Sequence, residues 1–78
     1  MVVTIYTSNS CSPCIATKSW LGKNNIPYTE KNITEEENRK ELIQKGYQST
    51  PVTIVQNERA ITYIVGYDIN KLERAFSI

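Results

Sequence analysis

Cys11 and Cys14 are the only cysteines in the chain, and Ser12 and Pro13 separate them. A disulfide scaffold of a secreted protein usually carries four or more cysteines, whereas a CxxC pair in the cytosol is typical of redox or metal-binding sites. Because the chain contains no histidine, Cys–His nucleophile pairs, histidine acid–base catalysis and histidine-ligated metals are excluded. Thiol–disulfide chemistry is the reaction that these residue types favour.

The cysteine pair lies where a predicted strand passes into a predicted helix. Val2–Thr7 is a β-branched and aromatic run typical of a strand, and the pattern becomes helical from Pro13 to about Asn24. Cys11 then lies at the helix N-terminus, where unpaired backbone N–H groups and the helix dipole favour a thiolate. Cys14 lies one turn further, on the face towards the core. We therefore expect Cys11 to attack a target disulfide and Cys14 to resolve the mixed disulfide.

A structural disulfide and a metal site are the alternatives for this pair. The chain-entropy relation gives about 2 kcal/mol for so short a loop, and a reducing cytosol would open an ordinary bridge. Zinc takes four ligands, and two thiols without an imidazole supply only two. An iron–sulfur or zinc site would therefore have to bridge two chains or recruit an external thiol.

The other elements predict a four-stranded mixed α/β sheet. Further strands are predicted at Pro27–Ile33, Val52–Val55 and Ala60–Val65. A second helix should follow a capping box of Thr34 and Glu37 and end near Gly46, and a third should begin at Asp68. In this third helix, Ile69, Leu72 and Phe76 should share one face. The order β-α-β-α-β-β-α gives a parallel first pair, a final hairpin and helices on both faces.

Length and charge limit the remaining functions. The 78 residues predict one domain, residues 1–78, and a net charge of +1 argues against nucleic-acid or anionic-membrane partners. We find no signal peptide or transmembrane run, so we expect a cytoplasmic protein. We also expect a monomer without a bound cofactor.

Thr50-Pro51 is a second candidate element, at the start of a predicted strand. From the residues alone a trans bond is favoured, since only about 5–6% of X–Pro bonds are cis. The functional alternative is a cis proline beside the dithiol, which would leave the Thr50 backbone free to pair with an extended substrate segment.

These motifs resemble the glutaredoxin-like redoxins, most of all the NrdH type, which donate electrons to class Ib ribonucleotide reductase. The resemblance rests on Ile5-Tyr6-Thr7, Cys11-x-x-Cys14, Ala16-Thr17-Lys18, Gly46-Tyr47, Thr50-Pro51-Val52 and Gly66-Tyr67. It implies a thioredoxin/glutaredoxin fold, a cis Pro51, and a dithiol–disulfide oxidoreductase whose Cys11–Cys14 disulfide is redox-active. The implied substrate-binding residues are Ser12, Pro13, Thr50, Pro51, Gly66, Tyr67 and Asp68.

Departures from the family pattern concern the reductant. Ser8 replaces a common basic residue, and Ser12-Pro13 replaces the Pro-Tyr of many glutaredoxins. Gly66-Tyr67-Asp68 is similar to a glutathione-binding segment and differs from the Trp-Ser-Gly-Phe-Arg-Pro of NrdH-type proteins. The resemblance therefore implies a protein client such as ribonucleotide reductase, with thioredoxin reductase as the expected reductant and glutathione as the alternative.

Overall fold

Four strands and three helices make up the computed structural model, which describes all 78 residues. Their bounds, in chain order, are β1 (Val2–Thr7), α1 (Ser12–Lys23), β2 (Thr29–Asn32), α2 (Glu36–Gln44), β3 (Val52–Gln56), β4 (Ile61–Val65) and α3 (Ile69–Phe76). The predicted order of elements is confirmed. None of the three helices combines the length and apolar character needed to span a membrane.

The strands form one mixed sheet in the order β2-β1-β3-β4. β1 and β2 are parallel because the helical crossover α1 joins them, and β3 is antiparallel to both β1 and β4. The C-terminal end of β1 and the N-terminal end of β3 therefore lie at the same end of the sheet. This topology brings the residues after β1, including Cys11, towards Thr50-Pro51.

Alternating side chains of the sheet build a core on each face. On one face Tyr6, Val52 and Ile54 pack with Leu42 of α2. On the other face Val55 and Ile64 pack with Leu72 of α3, and Trp20, Ala75 and Phe76 cover this cluster. Helices on both faces of the sheet are therefore confirmed.

The N-terminus of α2 differs from the prediction. Glu35 is the N-cap residue and makes no side-chain capping bond, so the capping box of Thr34 and Glu37 was wrong. The physical reason is a competing turn: Asn32 Oδ1 accepts hydrogen bonds from both the backbone N–H and the hydroxyl of Thr34. The Thr34 hydroxyl, which was expected to cap α2, is bonded instead to the last residue of β2.

The apolar face of α3 is narrower than predicted, and that of α2 is also narrow. In α2 only Leu42 is buried, and the neighbouring Ile43 is exposed. In α3 Leu72 is fully buried and Phe76 packs over it, whereas Ile69 faces solvent. Each of these short helices thus contributes one fully buried leucine to the core.

Candidate active site: the Cys11–Cys14 disulfide

Cys11 and Cys14 form a disulfide at the junction of β1 and α1, with their Cα atoms 5.2 Å apart. Cys11 is the N-cap residue of α1, and its Sγ accepts the backbone N–H of Cys14 at 3.2 Å. Cys14 is 1% exposed, whereas Cys11 is only partly buried. A reagent in solution can therefore reach the sulfur of Cys11 more readily than that of Cys14.

Two hydroxyl groups, one just after β1 and one just before β3, lie near this sulfur. Thr50 Oγ1 donates to Cys11 Sγ at 3.8 Å, and Ser8 Oγ lies 2.7 Å from Thr50 Oγ1. Thr50 has a single hydroxyl proton, so when it donates to the sulfur, Ser8 is the donor in the second bond. Ser8, Thr50 and Cys11 thus form a directed chain of hydrogen bonds that ends at the sulfur.

The segment around Pro51 lies at the same end of the sheet. The Thr50–Pro51 peptide bond is cis, and the Pro51 carbonyl accepts the backbone N–H of Gly66 at 2.8 Å. Gly66 has a φ of +78°, a conformation that residues with a Cβ rarely adopt. The hydrogen bond between Gly66 and Pro51 therefore holds the segment after β4 against the segment before β3.

Tyr67 and Asp68 follow Gly66 but make no hydrogen bond to the disulfide. Tyr67 is exposed, and Asp68 is the N-cap of α3, where its carboxylate accepts the backbone N–H of Lys71 at 3.1 Å. The first turn of α1 presents Ser12 and Pro13 to solvent beside the cysteines. The structure therefore connects Thr50 to the sulfur directly, and it gives Asp68 a capping role.

An ion pair lies behind the site, between α1 and β2. Glu30 Oε2 accepts the Thr7 hydroxyl at 2.7 Å and Lys18 Nζ at 3.0 Å. The hydrogen bond from Thr7, followed by that from Lys18, holds the pKa of Glu30 below its ordinary value. Lys18 lies one turn after Cys14, and Glu30 compensates its charge.

A second network joins β1, β2 and α2. Glu41 Oε1 accepts the Tyr6 hydroxyl at 2.9 Å and Lys31 Nζ at 2.6 Å. Burial, and then the hydrogen bond to Glu41, raises the pKa of Tyr6 to about 12. The bonds from Lys31 and Tyr6 lower the pKa of Glu41. This network fastens α2 to the sheet.

The sequence treats Ser8 only as the replacement of a basic residue and Lys18 only as part of the Ala16-Thr17-Lys18 motif. The hydroxyl chain and the Lys18–Glu30 pair were both missed. A hydroxyl residue three positions before a reactive cysteine was the available signal for Ser8, but its partner Thr50 is distant in sequence. No group of three or more His, Cys, Asp or Glu side chains is arranged to hold a metal ion.

Comparisons with known proteins agree with this geometry. The family model for glutaredoxin matches residues 3–60. The crystal structure of the thioredoxin-like protein BC3987 superimposes with a TM-score of 0.81 at 28% identity, covering 94% of this chain and 97% of that one. The glutaredoxin-like protein NrdH-redoxin from Escherichia coli gives a TM-score of 0.81 at 27% identity, covering 95% and 93%.

Similarity to a curated relative is more local. The global transcriptional regulator Spx of Staphylococcus aureus is 51% identical over 35 residues, which is 45% of this chain and 27% of that protein. The match therefore spans about a quarter of the relative's length.

The sheet order, the CxxC pair and these superpositions confirm the thioredoxin-like fold of the thiol–disulfide oxidoreductases. Within that class the chain belongs to the glutaredoxin family, since the family model matches most of its length.

Proposed function

We propose that this protein passes two electrons from its dithiol to a disulfide of a client protein. The unequal exposure of the two sulfurs carries the proposal: Cys11 is accessible, and Cys14 is buried behind it. The Cys14 amide and the Thr50 hydroxyl both point at Cys11 Sγ. Donors in this arrangement stabilise negative charge on that sulfur once the disulfide is reduced.

The reaction follows from these positions. The Cys11 thiolate attacks one sulfur of the client disulfide, a mixed disulfide forms, and the other client sulfur leaves as a thiolate. Cys14 then loses its proton and attacks Cys11 Sγ, which re-forms the Cys11–Cys14 disulfide and releases the second client thiolate. Both released thiolates take up protons, so the client gains two electrons and two protons.

The residues around the disulfide are proposed to bind the client. The Thr50 backbone would pair with an extended client segment, while Ser12 and Pro13 would contact it from α1. Gly66, Tyr67 and Asp68 would form the opposite wall, since Gly66 is bonded to Pro51. These assignments apply to protein clients, among which a ribonucleotide reductase is proposed from the likeness to NrdH-redoxin.

Thioredoxin reductase with NADPH is the proposed reductant. Ser8 is uncharged and bonded to Thr50, and Lys18 is paired with Glu30, so these side chains offer no unpaired cation to a glutathione carboxylate. The similar NrdH-redoxin from Escherichia coli has a thioredoxin-like activity profile. Glutathione is the alternative because Asp68 retains a carboxylate that could receive an ammonium group.

Exchange of each cysteine for serine tests the reaction, with the two variants serving as matched controls. Cys11→Ser should abolish reduction of a protein disulfide. Cys14→Ser should retain attack and accumulate a mixed disulfide, detected by mass spectrometry. In the reduced wild type, Cys11 should be alkylated much faster than Cys14 near neutral pH. Faster alkylation of Cys14 would contradict the assigned roles.

A side-by-side reduction of the oxidised protein tests the reductant. Thioredoxin reductase with NADPH should act faster than glutathione with glutathione reductase. Faster turnover with glutathione would assign the protein to the glutathione-dependent glutaredoxins. Failure of both would direct attention to a cluster- or zinc-binding module, which colour, metal content and mass of the purified protein would reveal.

A further inference from the structure

β4 forms an outer edge of the sheet and has an unpaired side. Gly66 donates to Pro51 and Asn57 donates to Ala60, which fixes the alternation of hydrogen-bonded pairs along β3 and β4. By that alternation the N–H and C=O groups of Ile61, Tyr63 and Val65 point away from β3. These three residues therefore offer a row of donors and acceptors to another extended chain.

Opposite faces of this edge differ in chemistry. The side chains of Ile61, Tyr63 and Val65 share one face and are 53%, 36% and 47% exposed. The other face borders a shallow groove of about 370 Å³, where Lys71 and Arg74 of α3 stand beside Thr62, Ile64 and Ala75. Neither Lys71 nor Arg74 is paired with a carboxylate.

The opposite edge of the sheet lacks this character. β2 carries Glu30 and Lys31, both held in ion pairs, and charged side chains of this kind discourage pairing with a foreign strand. β4 consists of Ile-Thr-Tyr-Ile-Val and contains no charge, no proline and no glycine. One edge is therefore protected and the other is left able to pair.

Charge decides which strand fits this edge. A second copy paired antiparallel through β4 would bring the Lys71 and Arg74 side chains of both chains to the same face, where like charges repel. An acidic strand would meet them with opposite charge. Because side chains alternate along a strand, such a partner would place apolar residues beside Ile61, Tyr63 and Val65 and acidic residues beside the two cations.

We propose that the outer edge of β4 docks an extended peptide segment in which apolar and acidic residues alternate. The segment adds a fifth strand antiparallel to β4, and its apolar residues form the backbone hydrogen bonds with Ile61, Tyr63 and Val65. Its acidic side chains lie in the groove beside Lys71 and Arg74. This docking requires no reaction at the disulfide, so it stands apart from the proposed electron transfer.

A synthetic peptide tests the backbone part of the proposal. The probe is a fluorescein-labelled Val-Glu-Val-Glu-Val-Glu-Val, titrated with the oxidised protein at low salt and followed by fluorescence anisotropy. N-methylation of the valine amides should abolish binding, because those amides face β4. N-methylation of the glutamate amides should leave binding in place. Equal effects of the two modifications, or no binding of the unmodified probe, would overturn the proposal.

Charge reversal tests the role of the cations. A Lys71→Glu and Arg74→Glu double variant should bind the probe about tenfold more weakly, given two lost surface attractions. The matched control is Lys23→Glu with Lys45→Glu, which gives the same net charge on exposed positions of other elements and should retain most of the affinity.

A folding control and two further outcomes complete the test. Circular dichroism must show both double variants folded, and the N-methylated probes test the wild type if one is not. An equal loss of affinity in the control variant would show that net charge alone attracts the probe. A wild-type dimer in sedimentation, displaced by the probe, would assign the edge to a second copy. Either of these two results would refute the proposal.

Discussion

Thr50→Val removes the hydroxyl that donates to Cys11 Sγ while keeping the shape of the side chain. The thiolate of the reduced protein would then keep the Cys14 amide, 3.2 Å away, and lose the Thr50 donor, 3.8 Å away. Hydrogen bonds to charged groups contribute about 1.5–3 kcal/mol. Because sulfur is a weak acceptor and this bond is long, we assign it about 1 kcal/mol.

That free energy sets the expected change in rate. A loss of about 1 kcal/mol lowers the thiolate fraction about fivefold at a pH where the protonated thiol predominates, since about 1.4 kcal/mol corresponds to tenfold. The more basic thiolate is also a better nucleophile, with a Brønsted coefficient of about 0.4–0.5, which returns about a factor of two. We therefore predict that, at such a pH, Cys11 of Thr50→Val reacts about 2.5-fold more slowly with a small disulfide.

The assay uses the Cys14→Ser background, in which the mixed disulfide is a stable product. Ultraviolet thiolate absorbance measures the thiolate fraction independently of the rate. Thr50→Ser is the matched control, because it keeps the hydroxyl and should react like the parent protein. Ser8→Ala should have an intermediate effect, since Thr50 then lacks its own donor. An unchanged thiolate fraction in Thr50→Val would refute the assigned direction of the hydroxyl chain.

Three predictions concern stability. Tyr6→Phe should cost about 1 kcal/mol near neutral pH, or about 4–8 °C in Tm. Because the pKa of Tyr6 is raised to about 12 in the folded state, its stabilisation is present below about pH 10 and lost as pH rises through the folded value. Alkaline unfolding curves should show that loss in the wild type and a smaller one in Tyr6→Phe. The pKa of Glu30 is lowered in the folded state. The stabilisation that its carboxylate provides is therefore present above the ordinary pKa of glutamate and is lost as the pH falls through the folded-state pKa. The stability of Glu30→Gln should accordingly depend less on pH in the acid range than that of the wild type. An unchanged pH dependence would contradict the assignment of the lowered pKa to the bonds from Thr7 and Lys18. Leu72→Ala should cost about 2–5 kcal/mol in denaturant unfolding, whereas the exposed control Ile78→Ala should stay within about 0.5 kcal/mol.

The order of elements was predictable because local patterns encode it. The β-branched run Val2–Thr7 forms β1 as predicted. Cys14, Thr17 and Leu21 follow one another at helical spacing in α1, and all three are buried. β2 is shorter than predicted, because β1 pairs only with Thr29–Asn32. Strand ends depend on the partner strand, which a local pattern does not contain.

The cysteine pair was recognisable from spacing, but its surroundings were not. The bond between Ser8 and Thr50 joins the residue after β1 to a residue just before β3, and these meet only after the sheet has formed. The bond between Thr7 and Glu30 depends likewise on the parallel pairing of β1 and β2. The predicted capping box of α2 was wrong for a local reason. The Thr34 hydroxyl donates to Asn32 Oδ1 and therefore does not cap the helix.

The attachment of α2, through Leu42 and the bonds of Glu41, has a consequence for hydrogen exchange. The free energy of a local opening rises with the apolar surface that the opening exposes. Undocking α2 exposes the cluster around Leu42 and breaks the bonds of Glu41, but it leaves the cluster on the opposite face of the sheet intact. The amides of α2 should therefore exchange through a subglobal opening below the free energy of global unfolding. The amides of β1 and β3, which lie at the centre of the sheet, should exchange only when the whole molecule unfolds. The sheet and α1, which hold the cysteines, can therefore stay folded while α2 opens and closes.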